Sequence, residues 1–383
     1  MPTTWIWQRP DWPTFRWEQA SLASLLRACV QAQGHLIGLA SAESEPERAD
    51  DALDTLLASV ITSSAIEGER LNVASVRASL ARRLGMDAPV AISARSEGLA
   101  DLTLDAISQH DQPLDLARLL QWHRWLFPAD DSFLPSRIRV GALRGTEPMQ
   151  VVSGRIDRPT VHFEAPPREG LDAQVEAFMA WFAASRDDAT LDPLLRAGIA
   201  HFWLITLHPF DDGNGRLSRA VTDLALAQAQ PQVIRFHALS ASILHDRAGY
   251  YRVLEAAQKG DLDITAWLEW FLATLQHSLV QAIHRIDAVL AKARFWRQHR
   301  QLVLSAAQMT VLNRLLDDGE RGFEGGINSS QYQAVAKVSR ATASRHLAEL
   351  VELGCLRRLP GGGRSTRYQI SDRPLADPVS QER

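Results

Sequence analysis

Apolar residues recur every three or four positions along most of this chain, and the places where that rhythm breaks set its organisation. From Ala52 to Gly68 the spacing of Leu53, Leu56, Leu57, Val60, Ile61 and Ile66 predicts a helix, with Gly68 as its C-cap. Leu194, Leu195, Gly198, Ile199, Phe202 and Ile205 predict a buried helix. It ends at His208, because Pro209 disfavours the α region for the residue before it. Another helix starts near Asn214 and runs through Ala220, Val221, Leu224 and Ala225. Leu262 to Trp296 is a long amphipathic stretch with Trp267, Trp270, Phe271 and Leu275 on one side. The exception lies between Glu147 and Pro167. There Met149, Val151, Val161 and Phe163 alternate with polar residues about a Gly/Asp/Pro turn, which predicts a β-hairpin.

Towards the C-terminus the pattern changes again. Ser329 to Lys337 reads as a short helix, Val338 to Arg340 as a turn, and Ala341 to Leu353 as a longer helix with Leu347, Leu350 and Leu353 inward. Strand-like pieces, Cys355 to Leu359 and Ser365 to Ile370, are joined by Pro360-Gly-Gly-Gly-Arg364. Helix, turn, helix and glycine-tipped hairpin predict a winged helix-turn-helix. Residues 337 to 367 carry seven basic residues against Glu349 and Glu352. Arg340, Thr342, Ser344 and Arg345 open the second helix, where DNA readers place base contacts. Such folds also bind proteins, so DNA and protein partners both stay open. The expected fold is mainly α: an N-terminal helical region (1–95), a helical core interrupted by the hairpin (96–295), the winged helix (300–373) and a flexible tail (374–383).

Composition narrows the partners. A chain of 383 residues has room for two or three domains. Its 41 basic and 45 acidic residues are too evenly matched for the whole molecule to be a nucleic-acid or membrane binder. Cys29 and Cys355 form no ligand spacing, which suits a reducing, cytoplasmic home. The opening MPTTWIWQRPDWP lacks the basic and apolar regions of a signal peptide. No apolar run nears the ~20 residues of a membrane span. Trp5, Trp7, Trp12 and Trp17 predict docking onto a neighbouring surface, within the chain or across a homodimer.

The candidate chemistry is concentrated in His208-Pro-Phe-Asp-Asp-Gly-Asn-Gly-Arg-Leu-Ser-Arg219. Gly213 and Gly215 let a ligand approach the main chain. The first amides of the following helix have no intrahelical partners and face outward with the positive end of the dipole. Arg216 and Arg219 add two charges on one face. These parts suit a polyanion, with an imidazole base and a carboxylate for a cation beside it. Upstream, Ser63 and Glu67 lie one helical turn apart, within reach of each other.

The string resembles the signature of Fic proteins, His-Pro-Phe-x-Asp/Glu-Gly-Asn-Gly-Arg-x-x-Arg, and matches every specified position. Most members with an intact signature move AMP from ATP onto a Ser, Thr or Tyr hydroxyl of another protein. The resemblance implies that His208 is the general base and that Asp212 holds Mg²⁺ between the α- and β-phosphates. Asn214 and the amides around Gly213 and Gly215 would cradle the phosphates, Arg216 would orient them, and Arg219 would reach the γ-phosphate. Asp211 falls at the variable position, so the metal goes to Asp212 by pattern; the residues alone do not separate the two.

Beside that signature, Ser63-x-x-x-Glu67-Gly68 resembles the inhibitory motif Ser/Thr-x-x-x-Glu-Gly/Asn of the family. It implies that Glu67 pairs with Arg219 and holds ATP in an unproductive pose. The hairpin resembles the family's flap, with Val151, Val152, Ser153 and Gly154 positioning a target peptide by strand addition. Tyr250 and Tyr251 resemble positions near the adenine pocket. Some Fic proteins also carry a C-terminal winged helix. The expectation is an autoinhibited protein adenylyltransferase that takes ATP and Mg²⁺ and acts on a target protein or itself. Two alternatives stand beside it: a DNA-binding regulator whose Fic core senses nucleotide, and an enzyme that removes AMP with Glu67 orienting water. Phosphate-transferring relatives depart from Gly-x-Gly-Arg at the anion turn, and Gly213, Gly215 and Arg216 keep it here.

Overall fold

The computed structural model describes residues 4–42, 45–87, 90–128, 138–155, 158–234, 236–317, 323, 325–360 and 366–371. The fold is mainly helical, with two two-stranded antiparallel sheets among the described residues. It divides into two compact units, Met1–Ile283 and His284–Arg383. The expected boundary at 95/96 falls inside a helix of the first unit, and that at 295 falls inside a helix that runs to Gln298. No described helix is long and apolar enough to cross a membrane.

The first unit is built around α7 (Pro193–Leu207), in which every residue from Leu194 to Leu207 is buried. A helix buried on all faces must be wrapped by others, and its polar Arg196, His201 and Thr206 find partners inside. Pro193 at its first turn and the Asp192 carboxylate, accepting from the Leu194 amide, start it. Its main neighbour is α8 (Asn214–Ala229), reached through the short turn that carries the signature. Around this pair lie α1 (Gln19–Ala40), α2 (Glu45–Ile66), α3 (Val73–Arg83), α4 (Ala94–Ser108), α5 (Leu116–Leu126), α6 (Leu171–Ala184), α9 (Leu239–His245), α10 (Arg247–Gln258) and the start of α11 (Thr265–Gln298). α2 packs on α3 and α9, and α4 on α5 and α8. Asn72, Ser93 and Asp115 cap α3, α4 and α5 by accepting first-turn amides.

The expected hairpin is present. β1 (Gln150–Arg155) pairs antiparallel with β2 (Arg158–Glu164), from Gln150↔Glu164 to Arg155↔Arg158, with a register shift between Val151 and Val152. Its tip, residues 156–157, lies outside the described residues. The tryptophan lead docks within the chain. Trp5 meets Phe163 edge-on, 5.4 Å between ring centroids, and the Trp7 indole donates to the Glu164 carbonyl at 2.7 Å. Trp12 and Phe15 pack on Trp203 of α7.

In the second unit, α12 (Ala306–Asp317), α13 (Ser329–Ala336) and α14 (Arg340–Glu352) are followed by β3 (Leu356–Arg358) and β4 (Tyr368–Ile370), which pair antiparallel. Both helices and both strands lie within the expected ranges, one residue early at Arg340. Val311, Leu312, Ile327, Tyr332, Leu347, Leu350 and Leu356 form its core. Leu353, expected inward, packs against that core while staying partly exposed. The glycine tip, residues 361–365, and the tail lie outside the described residues.

Gly98 shows how closely the first unit is packed. A Cβ there would stand 1.9 Å from the Trp125 carbonyl oxygen, so α4 and α5 touch backbone to backbone. Alanine would add about 1 kcal/mol of helix propensity. The obstacle is main chain and cannot rotate away, so overpacking wins. We expect Gly98→Ala to lower unfolding free energy by about 2–3 kcal/mol, measured by urea titration; an unchanged midpoint would contradict this packing.

Candidate active site

α7 ends at His208, whose backbone is left-handed (φ 49°, ψ 55°). A side-chain-bearing residue seldom adopts this conformation, and here it is held from outside by Arg144. That buried guanidinium donates through Nε to the His208 carbonyl at 2.9 Å and through Nη2 to the Pro166 carbonyl. The Arg144 amide donates to the Pro209 carbonyl at 2.9 Å. Asn214 closes the turn from the other end: Nδ2 donates to the Phe210 carbonyl at 2.8 Å, and Oδ1 accepts the Phe210 amide at 2.9 Å. The Asn214 side chain, expected on the phosphates, thus builds the cradle from inside.

His123 supports the same turn. Its ring stacks on Phe210 at 4.4 Å, Nδ1 accepts the Gly141 amide at 2.9 Å, and Nε2 donates to the Asp212 carbonyl at 3.3 Å. Burial pushes its pKa down to about 4, which keeps the neutral tautomer those two bonds require. Arg144 and His123 carry no motif, and no sequence signal marked them. Gly213 is left-handed (φ 83°), and a Cβ on it would meet Leu126 Cδ2 at 2.6 Å. No side chain caps α8, so its first amides stay available to a ligand.

This turn forms part of the wall of a cavity of about 720 Å³, within the ~300–1,000 Å³ range of small-molecule sites. The flap covers it with Met149 to Ser153, and α10 contributes Tyr250, Tyr251 and Glu255. Gly154 lies in β1, beyond the flap residues that line the cavity. The flap is tied to α10 through Ser153, His162 and Glu255. The Tyr250 hydroxyl is taken by His201 at 3.0 Å, and the Tyr251 hydroxyl donates to the Ile66 carbonyl at 3.4 Å. Both tyrosine side chains still face the cavity.

His208 lines the cavity. Its Nδ1 donates to the Ile205 carbonyl at 3.2 Å, which leaves Nε2 with a free lone pair. Enclosure pushes its pKa down to about 4, so the ring is neutral at pH 7 and able to accept a proton.

The structure separates the two aspartates. Asp211 is engaged by Arg139, which donates its amide at 2.9 Å and its guanidinium at 3.0 Å. Asp212 is half-exposed, 52% at its side chain, on the cavity wall. The described residues contain no group of three or more His, Cys, Asp or Glu able to hold a metal by themselves. A lone carboxylate suits Mg²⁺, which draws its other ligands from phosphate and water.

Both arginines of the signature are paired to the segment after α2. Gly68 (φ 82°) ends that helix in a Schellman turn, with the Glu69 amide on the Ser64 carbonyl and the Gly68 amide on the Ala65 carbonyl. The turn sets Glu67 and Glu69 against α8. Ser63 and Glu67 both turn to Arg219, which donates from Nε to Ser63 Oγ at 2.8 Å and from Nη2 to Glu67 Oε1 at 2.8 Å. A Cβ on Gly215 would lie 2.1 Å from that same oxygen, so the glycine makes room for the carboxylate. Arg216 donates to Glu69 Oε2 at 2.7 Å and lies 3.4 Å from Asp212 Oδ1. Glu69 also binds Arg95 at 2.7 Å. Glu67 lines the cavity, while the two guanidiniums lie behind it. Glu69 is a partner the sequence reading missed, although it stands two residues beyond Glu67.

Residues 113–226 match the model of the Fic/DOC family. The chain carries a Fic domain. Residues 5–86, ahead of that domain, match a family described as a domain of unknown function (DUF4172). Similar curated proteins include the protein adenylyltransferase Fic of Nematostella vectensis, 28% identical over 207 residues that cover 52% of this chain and 43% of the relative. Protein adenylyltransferase fic-1 of Caenorhabditis elegans is 31% identical over 208 residues, 52% of this chain and 36% of the relative. The chain thus spans less than half the length of these relatives. Among solved structures, a Fic family protein from Desulfovibrio desulfuricans G20 has a TM-score of 0.53 at 19% identity, covering 94% of this chain and 98% of that one. That likeness is one of fold.

The surroundings of His208 lead to a direct measurement. In the unfolded chain an imidazole takes up its proton near 6.5, and in the Fic domain His208 does so near 4. Acidification from 6.5 towards 4 therefore protonates the unfolded form first and disfavours the fold. We expect the His208 ring in the nucleotide-free protein to titrate near 4 by NMR; titration near 6.5 would contradict the enclosed, neutral ring.

Proposed function

We propose that this chain is a protein adenylyltransferase held in check by its own Glu67. It would move AMP from ATP onto a Ser, Thr or Tyr hydroxyl of a protein. The observation that carries the reading is the position of the Glu67 carboxylate. It stands over Gly215 at the mouth of the anion cradle, between the cavity and Arg219, with the lone pair of a neutral His208 on the same cavity.

In the active form, His208 Nε2 takes the proton of the acceptor hydroxyl, and the unpartnered amides of α8 hold phosphate oxygens. Asp212 would hold Mg²⁺, which supplies neutralisation of the phosphate charge. The flap would align the acceptor chain along β1. Glu67 opposes this by charge competition, because a guanidinium satisfied by a carboxylate and by Ser63 is not free for a terminal phosphate.

Two variants test the reading with labelled ATP, Mg²⁺ and cell lysate. Glu67→Gly should raise labelling of lysate proteins by about 10- to 100-fold, the worth of one charge-assisted contact of about 1.5–3 kcal/mol. Equal labelling by variant and parent would remove the restraint. His208→Ala should lower that labelling by about 100-fold or more while nucleotide binding persists. Parental labelling by the alanine variant would remove His208 as the base.

For the second unit we propose a winged helix whose α14 contacts DNA. Arg340, Ser344 and Arg345 are exposed on its first turns. Thr342 has its hydroxyl engaged with Ser339 at 3.0 Å, inside the N-cap. A duplex shift that weakens with salt, and falls further in the Arg340→Ala/Arg345→Ala chain, is the expected result; no shift at low salt would favour a protein partner.

A further inference from the structure

Among the described residues the cavity wall carries three hydroxyl-bearing side chains, Ser153, Tyr250 and Tyr251. The Tyr250 hydroxyl is buried against His201, and that of Tyr251 is turned onto the Ile66 carbonyl. Burial raises the pKa of both. Ser153 differs. It is exposed on β1, and its Oγ lies 2.5 Å from His162 Nε2 on the paired strand. The other nitrogen of that ring, Nδ1, lies 2.8 Å from Glu255 Oε2 on α10.

The direction of these bonds matters. Lys259 binds the Glu255 carboxylate from the next turn and, as the main cause, lowers its pKa, so it stays ionised and can only accept. The proton of a neutral His162 is therefore on Nδ1, and the Nε2 lone pair points at the serine hydroxyl. A strap that merely fastened the flap would need only the His162–Glu255 bond. The third member places a hydroxyl against a base whose tautomer is fixed by a carboxylate, the arrangement that activates a serine nucleophile.

We propose that Ser153 is an acceptor for the chain's own transferase activity, with His162 as the base for this hydroxyl and Glu255 as its positioning residue. The proposal rests on the adenylyltransferase reading and names one substrate of it. Ser153 Oγ forms a bond to the α-phosphorus of ATP as the bond from that phosphorus to the bridging oxygen breaks. Diphosphate leaves with the bonding electron pair, and the hydroxyl proton passes to His162 Nε2 while Nδ1–H stays on Glu255. The product is an AMP phosphodiester on the flap.

The test is site-resolved peptide mass spectrometry of the full chain carrying Glu67→Gly, incubated with ATP and Mg²⁺ in the presence of lysate. Adenylylation of residue 153 is expected. It should disappear in Ser153→Ala, persist in Ser153→Thr, and fall at least about tenfold in His162→Gln, which keeps a hydrogen-bonding side chain but cannot take the proton. A merely structural role for His162 predicts no such loss at this one site. Labelled lysate proteins without label at residue 153 would overturn the proposal and leave the transferase reading standing. Equal labelling of residue 153 in His162→Gln would overturn the assigned base. No label on the chain or on lysate proteins would overturn the transferase reading and this proposal with it.

Discussion

Between Leu207 and Asn214 the chain must leave a helix buried on every side and enter another, within a few residues and without stranding backbone polar groups. The solution is a left-handed His208 and a left-handed Gly213, with the carbonyls of His208, Pro209, Phe210 and Asp212 and the amide of Phe210 taken by Arg144, Asn214 and His123. This reversal fixes three things at once. It aims the His208 ring into the cavity, sets Asp212 at the rim, and leaves the first amides of α8 without intrahelical partners. Buried polar groups are tolerated when they find partners, and these bonds fix the course of the backbone from His208 to Asn214. The flap and α10 complete the wall of the cavity, and the tryptophan lead packs on the flap and on α7.

Much of this was legible in the chain. The helices bearing Glu67 and the signature have apolar periods long enough to be unambiguous, and the flap stands out because its period of two interrupts a helical region. Gly68 as a helix terminator follows from the need for a left-handed residue there, and Pro209 announces the end of α7. The parts that were not legible share one property: they act through tertiary contact. Arg144 and His123 are single polar residues that only proximity to the turn makes important. Glu69 reads as a solvated surface charge until α2 and α8 are brought together. The aspartates could be told apart only once Arg139 was seen to engage Asp211. Asn214, expected on the phosphates with the amides beside it, bonds both backbone polar groups of Phe210 with its side chain while the residue lines the cavity, a supporting role that only the folded turn reveals.

Charge placement in the first unit follows a consistent rule. Arg216 and Arg219 are almost wholly buried, which is acceptable only with anionic or acceptor partners close by. In this conformation those partners come from the chain itself: Glu67 with Ser63 for one guanidinium, Glu69 for the other. Arg95 and Arg216 both lie over the Phe127 ring and share Glu69 between them, so three cationic or anionic groups and one aromatic face form a closed patch.

The Schellman turn at Gly68 ties those two pairings into one. Glu67 and Glu69 flank a single left-handed glycine, and the last carbonyl of α2 is gripped by Arg247 at 2.7 Å. Peeling the end of α2 away from α8 would strip both guanidiniums of their carboxylates in the same movement. If Glu67 restrains the enzyme as proposed, the two contacts would act as a latch with one catch rather than as independent fasteners. On that reading both arginines would be released together.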